Sequence, residues 1–414
     1  MKLDPVRKAR QEEIIGKWID AGCEGTAECA TGFGKTIMAI LAIKRLRSSV
    51  TGDISVMVVV PTLYLQDQWK ERLEAFGVDN VEVWVINSAV KHSHFVGLLI
   101  LDEIHQYTAE IFGQIFDRVN YAHILGLTAT LREDDPRTGL IYNEAPVIDT
   151  VTMKEALDAG WIAPFQVYNL SVTMTQQEAD EYAKLSKDFN RYFASFGHDF
   201  SLAMACVNDQ NAIKRHAASL NWDVKRVQAA AFQFLSNMRK RKDLLYNLES
   251  KRQLAVDVIN LFPERMVITF SQTIESADWL AKQLGSEAEV YHSGMKGKKV
   301  NGKKLTAAQV KQAAIDRFSS KHQWNKCRVL CTAKAMDQGA DIPDVDMAVI
   351  VSASSKPLQA IQRYGRSLRH VEGKRTVIVE LYAPKTQDER WLRSRQKKLP
   401  KGVVNWISHI EEVA

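Results

Sequence analysis

The run Ala30-Thr31-Gly32-Phe33-Gly34-Lys35-Thr36 constrains this chain more than any other feature. It follows a short strand pattern and opens an amphipathic stretch over residues 35–47, the context that a phosphate-binding loop requires. Small residues let successive backbone N–H groups curl around phosphate oxygens, and the helix N-terminus adds partial positive charge. On that reading Lys35 neutralises the outer phosphates and the Thr36 hydroxyl ligates Mg2+. The usual spacing has glycine six positions before the lysine, where Cys29 stands. A chance glycine-rich turn is the alternative.

Such a loop belongs at the carboxyl end of a parallel strand. The surrounding pattern agrees. Residues 54–60 are an apolar, largely β-branched run, as in a strand buried on both faces. Residues 81–86, 97–101 and 123–127 read as further strands, and 35–47 and 63–76 as helices. Strand–helix alternation predicts a parallel sheet covered on both sides. From about 175 to 262 the pattern is helical. From 264 the alternation resumes, with strands expected at 266–270, 288–291, 328–331, 347–351 and 376–381, and helices at 274–284, 307–318 and 358–368. The expected organisation is an α/β lobe over 1–150, a linker and helical insert over 151–262, a second α/β lobe over 263–400 and a tail over 401–414. Residues 297–304 read as a mobile Gly/Lys-rich loop.

A chain of 414 residues has room for two or three domains. Its formal charge of +6 permits a nucleic-acid partner without requiring one. The basic residues gather at 239–242, 296–304 and 390–401, where a solvated face is the plain alternative. Five cysteines, an odd number in a long chain, argue against a disulfide framework and for a reducing cytoplasm. No apolar run suits a signal peptide or a membrane span.

Other polar residues stand at strand ends. Asp102-Glu103-Ile104-His105 follows four apolar residues. A carboxylate there can hold Mg2+ through water, and its neighbour can accept a proton from an attacking water. Thr128 and Thr130 flank a turn and could couple those carboxylates to a second lobe; a local cap explains them equally. Pro61-Thr62 could grip a strand phosphate or simply start a helix. Gly339 and Asp341 suit a tight turn near a ribose or on a surface. Arg366 and Arg369, with Gln362 before them, share one helical face and could meet a γ-phosphate across a cleft. A solvated basic helix would look the same.

Together, and in this order, these segments resemble the superfamily 2 helicases of the DExH type over nearly the whole chain except the insert. The resemblance implies two RecA-like lobes with ATP and Mg2+ between them. It makes Gln11 the adenine-reading glutamine, with Arg10 beside it. Thr31, Gly32, Gly34, Lys35 and Thr36 become the phosphate loop, Asp102 the Mg2+-holding residue and Glu103 the catalytic base. His105, Thr128 and Thr130 become coupling residues, Gly339 and Asp341 ATP contacts, and Gln362, Arg366 and Arg369 the completion of the ATP site. Pro61, Thr62, His292 and Thr332 match positions that touch a nucleic-acid strand. Ile104 stands where the commoner box has alanine, and Asp337-Gln338 departs from the family pattern.

Gln68-Trp69 and the basic helix around 239–252 resemble the XPB and UvsW branch. That implies a monomeric DNA motor of the phage type, working in a bacterial cytoplasm, that unwinds forks and moves junctions with a 3′→5′ bias. Arg239, Arg241 and the Lys-rich loop are then expected to hold a duplex arm. An RNA helicase, a restriction-complex motor subunit and a binding module with a decayed ATP site are the competing readings.

Overall fold

The structure is a computed structural model. It describes residues 4–49, 52–108, 110–131, 138–300, 303–319, 327–333, 345–355 and 376–413. Two all-parallel sheets organise it. The strands of the first are β1 (Glu24–Cys29), β2 (Val56–Val60), β3 (Val81–Val85), β4 (His94–Asp102), β5 (Val119–Thr128) and β6 (Val147–Val151). They lie in the order β3-β2-β4-β5-β1-β6. Every residue of β2 is buried, as its unbroken apolar run requires. The helix Lys35–Ser49 buries Ile37, Met38, Ala39, Ile40, Ala42, Ile43 and Leu46, while Lys44, Arg45, Ser48 and Ser49 in its second half stay exposed. The helix Pro5–Asp20 lies across this lobe, and its Trp18 indole donates to the Ile124 carbonyl of β5 at 2.9 Å.

The strands of the second sheet are β7 (Phe165–Ser171), β8 (Val267–Ser271), β9 (Ala288–His292), β12 (Val329–Ala333), β13 (Met347–Ile350), β14 (Thr376–Tyr382) and β15 (Val404–Ile407). Their order is β15-β7-β14-β13-β8-β12-β9. The strands expected from the sequence are present. However, β7 and β15, which fall in the segments read as linker and tail, complete this sheet. The helix Glu249–Leu261, read as part of the insert, buries Ala255, Val256, Val258 and Ile259 in the core of the second sheet. The helix expected at 358–368 lies outside the described residues.

The insert itself is helical over Gln176–Ala194, Phe200–Asn208, Gln210–Leu220 and Val224–Tyr246. It has a small core of its own, in which Phe193 stacks on Phe234 with ring centres 5.3 Å apart. Where a mobile loop was expected after β9, two strands pair antiparallel: β10 (Lys298–Val300) and β11 (Lys303–Leu305), with Lys299 opposite Lys304. Asn301-Gly302 between them is a strong sequence signal for a two-residue hairpin turn.

A buried ionic network fastens the end of the second lobe. Lys251 Nζ lies 2.6 Å from the Asp388 carboxylate, and neither side chain is exposed. Burial holds the Lys251 ammonium below its usual range, against the opposing pull of Asp388. Nearby, Arg395 Nε donates to Glu380 at 2.7 Å, and Gln396 bonds both Glu380 and Asn169.

Candidate active site

The phosphate loop sits where the sequence places it, between β1 and the helix Lys35–Ser49. Gly32 and Gly34 have φ of +92° and +95°, which side chains adopt only under strain. A Cβ on Gly32 would meet Ile162 at 2.9 Å, and one on Gly34 would meet Gln11 Nε2 at 2.9 Å. Phe33 is buried against the Trp161 ring. Lys35 Nζ donates to the Cys29 carbonyl at 3.2 Å and therefore lies within the curl of the loop. Burial pushes the Cys29 thiol up to about 12, so this residue is an inert spacer where glycine is usual. Thr31 and Thr36 are half-buried at the two ends of the loop.

Gln11 is fully buried, and its Nε2 donates to the Phe33 and Gly34 carbonyls at 3.0 and 3.4 Å. Its Oε1 is buried without a hydrogen-bond partner. An acceptor left bare beside a phosphate loop fits the exocyclic amine of adenine. Arg10 does something else. Its guanidinium bonds Asp149 at 2.7 and 3.1 Å and Glu155 at 2.9 Å, bracing the N-terminal helix against the end of the first lobe. Those hydrogen bonds, Asp149 foremost, lift the guanidinium above its usual range. Burial favours the neutral Asp149 carboxyl, but Arg10, Lys17 and the Thr150 amide outweigh it and hold it at about 2. Arg7, which no sequence motif singles out, reaches the phosphate loop instead, with Nη1 3.5 Å from the Gly32 carbonyl and Nη2 2.9 Å from the Trp161 carbonyl. Its signal is the four-residue spacing to Gln11, which puts both on one helical face.

Asp102 ends β4 and is buried. One carboxylate oxygen accepts from Trp69 Nε1 at 2.8 Å, and the other accepts from the Glu103 amide at 3.0 Å. Burial, with the adjacent Glu103 charge, pushes the carboxyl up to about 6, while Trp69 and Lys35 oppose the rise. The Tyr107 hydroxyl donates to the Asp102 and Val59 carbonyls, tying the ends of β4 and β2 together. Trp69 and Tyr107 are supports that the motif alone does not disclose. Pro61 and Thr62 acquire a structural role here. The Thr62 hydroxyl caps the helix Leu63–Ala75 by accepting from the Leu65 amide, and that helix carries Trp69 to Asp102.

Glu103 has φ of +53°, strained backbone of the kind concentrated at working sites. Its Oε2 is buried with no hydrogen bond and lies 3.4 Å from His105 Nδ1. The same His105 nitrogen is 3.0 Å from the Thr128 hydroxyl, which in turn meets the Thr130 carbonyl at 3.2 Å. Burial, reinforced by Lys35, lowers the His105 imidazole to about 4, so it is neutral at ordinary pH. The coupling set read from the sequence is thus one hydrogen-bonded chain leading to the expected base.

These residues fit a nucleoside triphosphate with a divalent cation. The glycine cradle has no room for side chains, Gln11 keeps an orphaned acceptor, and Asp102 is a buried carboxylate whose ionised form a cation would stabilise. Lys35, Thr36 and Asp102 would hold the phosphates and Mg2+. When bound, the cation supplies charge neutralisation.

The expected second-lobe ATP residues Gly339, Asp341, Gln362, Arg366 and Arg369 lie outside the described residues. Two expected strand contacts are turned inward. Thr332 is buried and donates to the Thr269 carbonyl at 2.6 Å, so its hydroxyl is committed between β12 and β8. His292 is buried and bonds Asp278 at 2.9 Å, tying β9 to the helix Ile274–Leu284. Arg239 is exposed. Arg241 is half-buried, stacked over Phe189 at 4.5 Å and bonded to the Tyr182 hydroxyl, so it serves the insert's packing.

Residues 4–93 and 86–133 match the family described as "Type III restriction enzyme, res subunit", and residues 250–371 match the "Helicase conserved C-terminal domain". A DNA 3′-5′ translocase, XPB2, of Sulfurisphaera tokodaii is 23% identical over 405 residues, covering 94% of this chain and 84% of its own. The chain is a superfamily 2 helicase of the XPB-like branch. The helicase is also 26% identical over 192 residues to the DNA 3′-5′ helicase XPB of Mycobacterium tuberculosis, covering 39% of this chain and 34% of that one. Its fold matches the Hef helicase domain of Pyrococcus furiosus with a TM-score of 0.54 at 15% identity, covering 94% and 98% of the two chains. It also matches the Type ISP restriction-modification enzyme LlaBIII with a TM-score of 0.57 at 13% identity, covering 99% of this chain and 31% of that one. The two-lobe RecA-like fold and an ATP-dependent helicase enzyme are therefore established. Among the described residues, no helix is long and apolar enough to cross a membrane.

Proposed function

We propose that this helicase is a DNA motor that hydrolyses ATP with Mg2+, moves 3′→5′ along one strand and remodels forks and junctions in recombination, repair or replication. The observation that carries this is the convergence of Lys35, Asp102 and Glu103 at the carboxyl ends of one parallel sheet, with His105 beside Glu103 and a hydrogen-bonded chain running from His105 to Thr130. Lys35 and Thr36 hold the outer phosphates from the first lobe, and Arg366 and Arg369 complete the site from the second. Glu103 accepts the proton of the attacking water. His105, neutral, orients Glu103 without competing for that proton. The names of the relatives, a DNA 3′-5′ translocase and a DNA 3′-5′ helicase, support DNA and this polarity.

The hairpin and the insert support a duplex grip. Between Val290 and Ile315 stand six lysines and no acidic residue. Lys299 and Lys304 are exposed and directly opposed across β10 and β11, a like-charge pairing that disfavours the hairpin until an anion lies between them. Exposed Arg239 adds to this basic surface. Phosphate contacts of this kind are blind to sequence and weaken with salt.

The test is ATP hydrolysis and unwinding on forks, Holliday junctions, overhangs of both polarities and their RNA equivalents. Forked DNA should stimulate most, and a 3′ overhang more than a 5′ one. Equal stimulation by duplex RNA would overturn the DNA assignment, and a rate indifferent to any polynucleotide would overturn the motor.

A further inference from the structure

Lys398 belongs to the C-terminal basic run, where a solvated charge is the plain expectation. It instead crosses from the second lobe to the first. Its Nζ donates to the Leu131 carbonyl at 3.2 Å and lies 3.8 Å from the Glu28 carboxylate of β1. The Leu131 amide in turn donates to that same Glu28 at 3.3 Å, so the lysine and the backbone share one carboxylate. The contact borders a cavity of about 310 Å³ that Ala30, the first residue of the phosphate-loop run, and Thr130 also line.

Both ends of this bridge lead somewhere definite. On the second-lobe side, Arg395 and Gln396 are locked to Glu380 of β14, and Gln396 also to Asn169 of β7, fixing the chain two residues before Lys398. On the first-lobe side, Leu131 directly follows Thr130, whose amide and carbonyl both meet the Thr128 hydroxyl. That hydroxyl meets His105, which lies beside Glu103. The Lys398 side chain is 43% exposed, so its attraction to Glu28 is screened and cannot clamp the lobes. A weak, geometrically specific contact suits something made and broken in every cycle.

We propose that Lys398 is a positioning residue through which the C-terminal end of the second lobe sets the turn after Thr128, and with it the orientation of the catalytic carboxylate Glu103. Closure of the lobes seats the ammonium on Leu131 and Glu28. Separation withdraws it and frees the 129–131 turn. The bridge rests on the reading of Glu103 as base and adds to it a control that neither lobe's ATP motifs supply.

The experiment compares steady-state ATP hydrolysis, with and without forked DNA, in the full chain and its Lys398→Ala, Lys398→Arg, Glu28→Gln and Glu103→Gln variants. Lys398→Ala should lower kcat by roughly 2- to 30-fold, the span of couplings of this kind. The KM for ATP and the Kd for forked DNA should stay within about twofold, because ground-state binding is untouched. Lys398→Arg should restore most of kcat. Glu28→Gln in the Lys398→Ala background should add less than it does alone. An unchanged kcat in Lys398→Ala, a proportionate loss in KM and DNA affinity, or no rescue by arginine overturns the proposal. Glu103→Gln separates the two levels. If it is inactive while Lys398→Ala is normal, only the bridge fails; if it still turns over, the reading of the base fails.

Discussion

Trp69→Phe isolates the contact that keeps Asp102 ionised. Trp69 is 1% exposed; phenylalanine retains a buried six-membered ring, leaves a small void where the rest of the indole stood, and removes the N–H that donates to Asp102 at 2.8 Å. That donor stabilises the carboxylate and not the acid, so its loss must raise the pKa. A hydrogen bond to a charged group contributes about 1.5–3 kcal/mol. At 1.36 kcal/mol per tenfold, the Asp102 midpoint should move from about 6 to roughly 7–8. The profile of kcat/KM against pH reports the free enzyme, in which no bound cation masks this titration. Its acid limb should shift upward, leaving kcat/KM at pH 7 roughly 2- to 10-fold below the parent and restoring it near pH 9. The stability consequence has the same origin. The folded Asp102 titrates above its ordinary 3.8, so its stabilising contribution is present below that value and is lost as pH rises through about 6. In the variant that loss extends to higher pH. An acid limb superimposable on the parent's, or a loss uniform across pH, refutes the role assigned to Trp69.

Lys35→Ala should abolish ATP turnover while leaving DNA affinity within a few-fold, measured by phosphate release and fluorescence anisotropy; full residual hydrolysis means the loop is misread. Lys299→Glu with Lys304→Glu should weaken forked DNA more than a single strand. It should also reduce the salt slope of binding by about 2, near one for each phosphate no longer neutralised; equal weakening of both ligands argues against a duplex grip. Lys251→Met removes the cationic partner of Asp388 in the interior and leaves it only the Ala383 amide, so unfolding of the second lobe in urea should lose about 3–5 kcal/mol. A loss below about 1 kcal/mol would mean that water reaches the pair.

What the sequence disclosed was local chemistry. The phosphate loop and the Asp102-Glu103 pair are short runs in which neighbours in the chain are neighbours in the site, and buried strands such as β2 announce themselves by unbroken apolar stretches. What escaped was of two kinds. β7 alternates buried and partly exposed residues, and β15 is only four residues long, so neither forms a clear apolar run. Trp69, Arg7 and Lys398 act on atoms 33, 25 and 267 residues away in the chain. Nothing in a linear pattern marks such partners. The same limit explains Arg10 and Thr332. Their types suited a nucleotide and a strand, but Asp149 and the Thr269 carbonyl, remote in sequence, claim their donors.

The connectivity of the two sheets has a mechanical corollary. The last strand of the first sheet is β6, and every described strand from β7 onward, on both sides of the helical insert, belongs to the second sheet except the separate β10–β11 hairpin. The chain passes from one lobe to the other after Trp161 and Ile162, which pack against the phosphate loop, and before Phe165 opens β7. The insert leaves after β7 and returns through the helix Glu249–Leu261, so both its roots stand on the same body. It cannot serve as the pivot. It rides with the second sheet, so any rotation of that lobe against the phosphate loop carries the insert's basic surface along with it.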